Sequence, residues 1–181
     1  NPLQLYGGYY VNGLDKSKFA TIYEYQPDAA KFVVSPNAYA PRTTEVAAYQ
    51  MGYSAPIFSP TGGMKISAHD LATYMMMHAN YGKYNGVRII SKKSSKLMQT
   101  AVSKIEPYGF ALETPGSIID GQKMIGHTGS AYGLFSAMFF NPQEKYGIVV
   151  ISNGCHPGET SGYNNVIRKA VNTLYENLIA N

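Results

Sequence analysis

Cysteine is almost absent from the sequence, since Cys155 is the only one among 181 residues. A single thiol excludes an internal disulfide and any metal centre built from several thiolates. The sequence also lacks a run of about 18 consecutive apolar residues, the length that a helix needs to cross a membrane. No charged-then-apolar leader stands at its start. We therefore expect neither a membrane span nor a targeting signal within this chain.

Charge is scarce as well. Only 14% of the residues are charged, and 15 Lys and Arg against 11 Asp and Glu give a net charge of +4. The densest basic run, Lys92, Lys93 and Lys96, is interrupted by serines and is typical of a solvated helix face, which argues against nucleic-acid binding. Because 45% of the residues are hydrophobic and 13% aromatic, the chain can bury enough apolar surface to fold, and its length predicts a single domain.

The hydrophobic pattern divides this domain into three regions. They are a hairpin with a Pro- and Gly-rich excursion (1–63), a pair of helices (64–107), and an antiparallel meander with a terminal helix (108–181). In the first region the hairpin spans 19–34, and the prolines and glycines after it predict an ordered excursion rather than a helix. In the second region a capping box at Ser67 and Asp70 begins a helix that ends near Asn80, and a second helix follows Ser91.

The meander is predicted from four strand-like segments. They cover 108–113, 122–128, 132–141 and 146–153. Short, turn-rich connections make neighbouring strands antiparallel. The continuous apolar run 148–151 predicts a strand that is covered on both faces, and the apolar stripe over 161–180 predicts the helix that covers one of them. The fold class is therefore α+β, an antiparallel sheet with a C-terminal helix packed on one face.

The segment 126–133, with the sequence Gly-His-Thr-Gly-Ser-Ala-Tyr-Gly, holds the residues best suited to chemistry. Three glycines around one strand end suggest that a ligand approaches the backbone closely. A turn alone would also explain Gly129 and Gly133. An imidazole, two hydroxyls and free backbone N–H groups stand beside these glycines, and such groups suit a carboxylate or a developing oxyanion.

Several pieces occur in a fixed order along the chain. They are Met51-Gly-Tyr53, Pro60-Thr-Gly-Gly63, Ser67 to Leu71 with Asp70, Tyr108-Gly109, His127-Thr-Gly-Ser130, a strand ending in Asn141-Pro142, and Gly147-Ile-Val-Val-Ile-Ser-Asn153. This order resembles the C-terminal portion of serine β-lactamase-like proteins, a family that includes class C β-lactamases, D-Ala-D-Ala peptidases of the penicillin-binding type and related esterases. The resemblance implies an incomplete β-lactamase-like fold.

The third active-site motif of that family is Lys-Thr-Gly, and His-Thr-Gly is a variant of it. By position, the resemblance implies that His127 replaces the basic residue and that Thr128 hydrogen-bonds the substrate carboxylate. Gly129 would let the substrate lie against the strand, and the backbone N–H of Ser130 would form part of the oxyanion hole. A single donor of that kind contributes a factor of about 10² to 10³ in rate.

The nucleophile of the family is missing from the sequence. It is the Ser of Ser-x-x-Lys, and no serine here is followed three residues later by Lys. The second motif, Tyr or Ser followed two residues later by Asn, has four matches that we interpret as chance. They begin at Tyr10, Ser35, Tyr163 and Tyr175. The resemblance therefore implies the C-terminal half of a two-part enzyme, whose apolar edge at 146–153 is covered by a symmetry mate or a swapped segment.

Two hypotheses of function follow. By resemblance, the parent protein is an exported serine hydrolase of the periplasm or cell envelope that forms an acyl-enzyme on a β-lactam, a peptidoglycan peptide or a small ester, without cofactor or metal. This chain alone would be inactive. The alternative is a non-catalytic module whose 16 tyrosines bind a peptide or cell-wall saccharide. His69, His78 and His156 lack metal-ligand spacing, and a thiol nucleophile formed by Cys155 and His156 is disfavoured because adjacent residues rarely point at each other.

Overall fold

The computed structural model describes residues 2–54, 57, 63–103, 105 and 107–180. The strands are β1 (Gly7–Gly8), β2 (Tyr23–Gln26), β3 (Lys31–Val34), β4 (Lys65–Ile66), β5 (Lys83–Tyr84), β6 (Val87–Arg88), β7 (Glu113–Gly116), β8 (Met124–Ala131), β9 (Leu134–Asn141), β10 (Tyr146–Ser152), β11 (Glu159–Thr160) and β12 (Tyr163–Asn164). The α-helices are α1 (Thr43–Ala47), α2 (Ala68–Ala79), α3 (Lys92–Met98) and α4 (Asn165–Leu178). Over this part of the chain, no helix has the length and apolar character needed to cross a bilayer.

The central sheet is antiparallel, with the strand order β10-β9-β8-β7. A two-residue loop, Tyr132-Gly133, joins β8 to β9, and both of its residues have positive φ. Such a loop is typical of a type I′ hairpin turn. β9 and β10 are paired along the whole of β10, from Tyr146 to Ser152. Neighbours in the chain are therefore neighbours in the sheet, which confirms the predicted meander.

A helix packs on each face of this sheet. On one face, Ile167 of α4 and Phe139 of β9 share a buried core with Ile148 of β10. On the other face, Met75 of α2 belongs to a core that packs against Val149 of β10. Because side chains alternate along a strand, β10 contributes to both cores. The apolar run is thus covered on both faces as predicted, and α2 is the second cover.

Serine caps fix where α2 and α3 begin. Ser67 accepts a hydrogen bond from the backbone N–H of Asp70 and donates its hydroxyl to the Asp70 carboxylate. This confirms the predicted helix start with Ser67 as the N-cap, although the Asp70 carboxylate bonds the Ser67 hydroxyl and not the backbone N–H that completes a full capping box. Ser91 accepts the backbone N–H of Ser94 in the same way. α3 ends at Met98, before Val102, the next apolar residue at helical spacing.

The terminal helix begins later than the predicted range of 161–180. Asn164 caps it, because its side-chain oxygen accepts the backbone N–H groups of Val166 and Ile167. Asn164 also belongs to β12, which pairs with β11 in a small hairpin. The side-chain cap at Asn164 and the pairing of β12 with β11 therefore set the start of this helix.

The strand that pairs with β8 on the side opposite β9 is not the predicted segment. The range 108–113 consists mainly of bends, with an isolated bridge between Tyr108 and Glu113. The sheet instead uses β7, whose Thr114-Pro115-Gly116 composition predicts a turn. β7 lies at the edge of the sheet, where a strand needs hydrogen-bond donors on one side only and therefore tolerates proline.

The Pro- and Gly-rich excursion also differs from its prediction, because it contains the helix α1. This helix has five residues, too few for apolar periodicity to reveal it. An ion pair between Arg42 and Glu45, 3.2 Å long, supports it. Most of the Pro60-Thr-Gly-Gly63 piece lies outside the described residues.

β10 forms one edge of the central sheet, because the described residues place no further strand beside it. Beyond its end, Asn153 accepts the backbone N–H of Tyr23 and donates its side-chain amide to the Thr21 carbonyl oxygen, each at 2.8 Å. Along the strand itself, the edge faces a groove of about 610 Å³ lined by α2 and α4, with Met76 and Leu178 among the lining residues. The segment 146–153, which we expected to form an apolar edge, is therefore found at one edge of the central sheet.

Candidate active site

Residues 127–131 of β8 have a strand on one side only. β9 pairs with them there, starting at the hairpin turn. β7 pairs with the first part of β8, where its residues are opposite Met124 and Gly126. Within the part of the chain that the structure describes, no other strand continues β7 beside 127–131. A ligand can therefore approach the backbone of this segment from the edge of the strand.

The register of the hairpin decides which backbone groups face that edge. Ala131 and Leu134 are opposite each other across the turn, and the i to i+3 bond of such a turn makes them a hydrogen-bonded pair. Hydrogen-bonded and non-bonded pairs alternate along an antiparallel ladder. The next bonded residue of β8 is therefore Gly129, and the N–H groups of Thr128 and Ser130 point away from β9. They are the amides offered to a ligand.

His127 is exposed, and two neighbours position its ring. Its Nδ1 contacts the carbonyl oxygen of Thr128. The ring also stands edge-on to that of Tyr108, with centroids 5.8 Å apart. Because a carbonyl oxygen only accepts hydrogen bonds, Nδ1 carries the hydrogen and Nε2 is the atom presented to a ligand. A neutral imidazole held in this way offers an acceptor, whereas the lysine of the family motif offers a cation.

The side chains of the segment leave on opposite faces of the sheet. Thr128 and Ser130 lie on the side of Met124, which α4 covers, and His127 lies on the side of Ile125, which α2 covers. Thr128 is half-buried and Ser130 is exposed. One ligand can therefore contact the imidazole and the hydroxyls only if it lies along the strand edge, beside the amides of Thr128 and Ser130.

The three glycines have different physical explanations. A Cβ at Gly126 would lie 2.0 Å from a carbonyl oxygen of β9. A Cβ at Gly133, where φ is +88°, would lie 2.1 Å from the carbonyl oxygen of Tyr23. Packing and turn geometry thus require these two glycines without any ligand. A Cβ at Gly129 would meet only the hydroxyl of Ser136, at 2.7 Å, so backbone packing does not account for this third glycine.

The predicted objection to a thiol nucleophile agrees with the geometry. The Cys155 thiol is buried and donates to the side-chain oxygen of Asn164 at 3.4 Å, and burial raises its pKa. The His156 ring packs against Tyr25 in a tilted arrangement, with ring centroids 4.6 Å apart, and its Nδ1 accepts the backbone N–H of Gly158. A raised pKa opposes formation of the nucleophilic thiolate. Among the described residues, no group of three or more His, Cys, Asp or Glu is placed to hold a metal ion.

Three of the four matches to the second motif make contacts that serve the fold, and the fourth, Tyr10, accepts a hydrogen bond from the Asn12 side chain at 3.3 Å. Tyr163 is buried, donates its hydroxyl to Glu113, and has its pKa raised by burial. Ser35 donates to the carboxylate of Glu24 at 2.6 Å. Tyr175 packs on another tyrosine ring. These contacts explain the residues structurally, in agreement with their interpretation as chance matches.

Tyr108 belongs to the site, although the sequence alone did not assign it a place there. The chain turns tightly after it, since a Cβ at Gly109 would lie 2.0 Å from the carbonyl oxygen of Met98 at the end of α3. The backbone N–H of Phe110 also donates to that oxygen. This turn brings the Tyr108 ring beside His127. Gly109, which follows Tyr108, was the available signal, because glycine is typical of positions where the backbone is approached closely.

Comparisons with known proteins show a family and a similar fold. The family model for Beta-lactamase matches residues 9–172, which include the whole of β8. Among solved structures, the octameric penicillin-binding protein homologue from Pyrococcus abyssi is similar, with a TM-score of 0.63 and 23% sequence identity. That match covers 97% of this chain and 35% of the other, so this chain spans little more than a third of that protein. No curated protein matches the present chain. The chain belongs to the β-lactamase family.

Proposed function

We propose that this chain supplies the substrate-binding strand and part of the oxyanion hole of a serine hydrolase that forms an acyl-enzyme. The observation that carries the proposal is the unpaired edge of β8, where register turns the N–H groups of Thr128 and Ser130 outward. Family membership supports the same reaction class. The substrate class is an acyl compound: a β-lactam, a peptidoglycan peptide or a small ester.

Each residue has a defined role in this proposal. The substrate lies along the free edge, and attack on its carbonyl carbon moves negative charge onto the carbonyl oxygen. The Ser130 N–H donates to that oxygen and stabilises the charge, an effect of about 10² to 10³ in rate. The Thr128 hydroxyl donates to a substrate carboxylate, and Nε2 of His127 accepts from the nucleophile or from a substrate N–H. Gly129 leaves the strand open to close approach.

The nucleophile comes from outside these 181 residues. The proposal rests here on the sequence, since no Ser-x-x-Lys occurs in it, and on the greater length of the similar penicillin-binding protein homologue. The three sequence regions act as one C-terminal unit. The groove beside β10 then receives the rest of the enzyme, a swapped segment or a second copy, and the whole protein works in the periplasm or cell envelope.

The test compares this chain with the product of the complete reading frame. Nitrocefin and a p-nitrophenyl ester report acyl transfer in each, and we expect turnover only where a Ser-x-x-Lys segment is present. In the active protein, Thr128→Val should lower kcat/KM for nitrocefin, which carries a carboxylate, by about tenfold, the worth of one charge-assisted hydrogen bond. The p-nitrophenyl ester, which lacks a carboxylate, should be little affected, and Thr128→Ser should retain both activities.

Two results would contradict the proposal. Turnover by the isolated chain, abolished by a serine-directed acylating reagent, would place a nucleophile within these residues. A complete reading frame that encodes no Ser-x-x-Lys would remove the enzyme altogether.

The second candidate is a non-catalytic module for peptides or cell-wall saccharides. The observation that favours it is Tyr132, which is 51% exposed at the tip of the β8–β9 hairpin, two residues from Ser130. An exposed tyrosine ring beside free amides suits a sugar or a peptide. Binding of peptidoglycan fragments by the isolated chain, lost in Tyr132→Ala and kept in Tyr53→Ala, would support this alternative.

A further inference from the structure

A second group of charged side chains surrounds the ring of Tyr81, which follows α2. The Nζ atoms of Lys145, Lys96 and Lys92 lie 4.9, 5.5 and 6.0 Å from the centroid of that ring. Lys92 and Lys96 lie one turn apart on α3, and Lys145 lies in the turn between β9 and β10. All three lysines are exposed. We call them the Tyr81 lysine cluster.

Contacts with the backbone hold the cluster in place. Lys145 donates to the carbonyl oxygen of Ala79, the last residue of α2, at 2.8 Å. Arg88 donates to the carbonyl oxygens of Tyr81 and Ile90, each at 3.1 Å. Packing of α2 against β10 brings these elements together. The convergence of the three lysines therefore follows from the fold and not from their spacing in the sequence.

None of the three lysines forms an ion pair within the described residues, whose ion pairs are those of Arg42 with Glu45, His69 with Asp70 and Arg168 with Asp120. Each of the three nitrogens lies within 6.0 Å of the same point. Any two are therefore at most about 12 Å apart, roughly one and a half times the Debye length of about 8 Å at physiological ionic strength, so their mutual repulsion is only partly screened. The Tyr81 ring attracts each ammonium but has no net charge to offset their repulsion.

We propose that the Tyr81 lysine cluster binds a compact, multiply charged phosphate group. Lysine ammonium groups are common ligands of phosphate, which they bind as point charges. Three ammonium groups gathered at one aromatic ring suit a phosphomonoester or diphosphate bound beside that ring. A nucleic acid spreads its charges along a backbone and favours an extended basic stripe. The phosphate belongs either to a soluble compound or to a lipid headgroup.

This site is separate from the candidate active site. Ser130 is opposite Phe135 near the start of β9, whereas Lys145 follows Asn141 at the end of that strand. A strand rises about 3.3 Å per residue, so Ser130 is about 20 Å from the Asn141 end of β9, and His127, opposite Met138, is about 10 Å from it. The inference therefore goes beyond the proposed acyl transfer and does not depend on it.

Isothermal titration with inorganic pyrophosphate tests the proposal on the purified protein. Lys96→Gln and Lys145→Gln each remove one charge from the cluster, and each should weaken binding about tenfold, the factor of one charge-assisted hydrogen bond. Lys93→Gln is the matched control, because Lys93 is exposed on the same helix but has no contact with the Tyr81 ring. This control should keep the affinity within about twofold. Circular dichroism and thermal unfolding establish that each variant is folded.

A second arm identifies the source of the phosphate. Sedimentation with phosphatidylcholine vesicles, with and without phosphatidic acid, shows whether a lipid phosphomonoester is bound. Binding that requires phosphatidic acid and is competed by pyrophosphate supports a headgroup site, and pyrophosphate binding without vesicle binding supports a soluble ligand. Absence of both, or an equal loss in Lys93→Gln, would overturn the proposal.

Discussion

The side-chain amide of Gln99 donates to the carbonyl oxygen of His78 at 2.8 Å, and this bond ties the end of α3 to the last turn of α2. The imidazole of His78 is 1% exposed and packs between the rings of Tyr74 and Phe140. Its Nδ1 has no hydrogen-bond partner among the described residues. Burial lowers the pKa of His78, because a charged imidazole is poorly solvated there. The folded protein therefore holds this histidine neutral.

We predict that the free energy of unfolding decreases as the pH falls below about 6.5, the ordinary pKa of histidine. Since the pKa of His78 is lower in the folded state than in the unfolded state, the unfolded chain takes up the proton first. The contribution of neutral His78 to the free energy of unfolding is complete above the pKa that this histidine has in the unfolded chain. Below that pKa it is lost, by at most about 1.4 kcal/mol per pH unit for one proton. Urea unfolding at a series of pH values measures this slope.

The variant His78→Phe keeps an aromatic ring between Tyr74 and Phe140 but cannot take up a proton, so it should flatten the pH dependence. His69→Gln is the control, because the side chain of His69 is 91% exposed and its removal should leave the slope unchanged. A slope that persists in His78→Phe would show that other groups cause it.

A second prediction concerns Gly126 in β8. An added Cβ would lie 2.0 Å from the backbone oxygen of Met138 and 2.7 Å from the Cα of Phe139, and backbone atoms cannot rotate away. We expect Gly126→Ala to lower the free energy of unfolding by about 3 kcal/mol, at the upper end of the cost of overpacking. Gly13→Ala is a suitable control, because its Cβ would meet nothing closer than 3.9 Å. Equal stability of the two variants in urea would contradict this explanation of Gly126.

Local signals in the sequence predicted much of the fold. A capping box needs only two residues three apart, so Ser67 and Asp70 were sufficient to locate the start of α2. Short turns likewise predicted the order of β8, β9 and β10. β7 escaped prediction because tertiary pairing overrides the turn preference of its Pro115 and Gly116. α1 escaped because five residues carry no readable periodicity.

The sequence proposed the residues of the candidate site but not their geometry. The sequence placed His127 and Thr128 together, but their opposite faces follow from strand alternation combined with the packing of α2 and α4. The Tyr81 lysine cluster was even harder to predict from the sequence. Its Lys145 is distant in sequence from Lys92, and only the packing of α2 against β10 brings them to one ring.

The tautomer of His127 provides a third prediction. Its contact with the Thr128 carbonyl oxygen requires hydrogen on Nδ1. His156 has the opposite requirement, since its Nδ1 accepts the backbone N–H of Gly158 at 3.2 Å and its hydrogen is then on Nε2. Long-range ¹H–¹⁵N correlation spectra of the neutral imidazoles distinguish the two tautomers. We expect the Nδ1–H form for His127 and the Nε2–H form for His156 in one sample.

His156 is the internal control in this measurement, because both rings experience the same pH and temperature. The same tautomer at both positions would contradict the positioning of His127 by Thr128. It would also weaken the argument that Nε2 of His127 faces the substrate. That argument requires Nδ1 of His127 to donate to the Thr128 carbonyl oxygen.

The last prediction concerns the groove beside β10. An unpaired apolar strand edge between two helices favours association with another chain. Leu178 of α4 lines this groove and is 75% exposed. We expect sedimentation velocity to detect a concentration-dependent dimer, and Leu178→Lys to weaken it by at least about tenfold, because burying one leucine contributes about 1.5 to 3 kcal/mol.

The matched control is Leu97→Lys on α3. Leu97 is also a leucine on a helix surface, 53% exposed, and it does not line the groove, so its replacement should leave the dimer intact. A two-fold interface contains each of its residues twice. The difference in dimer affinity between the two variants should therefore be larger than the loss of one leucine contact would cause. Equal weakening by both variants would locate the interface elsewhere, and a protein that stays monomeric at every concentration would mean that the groove does not pair two copies of this chain.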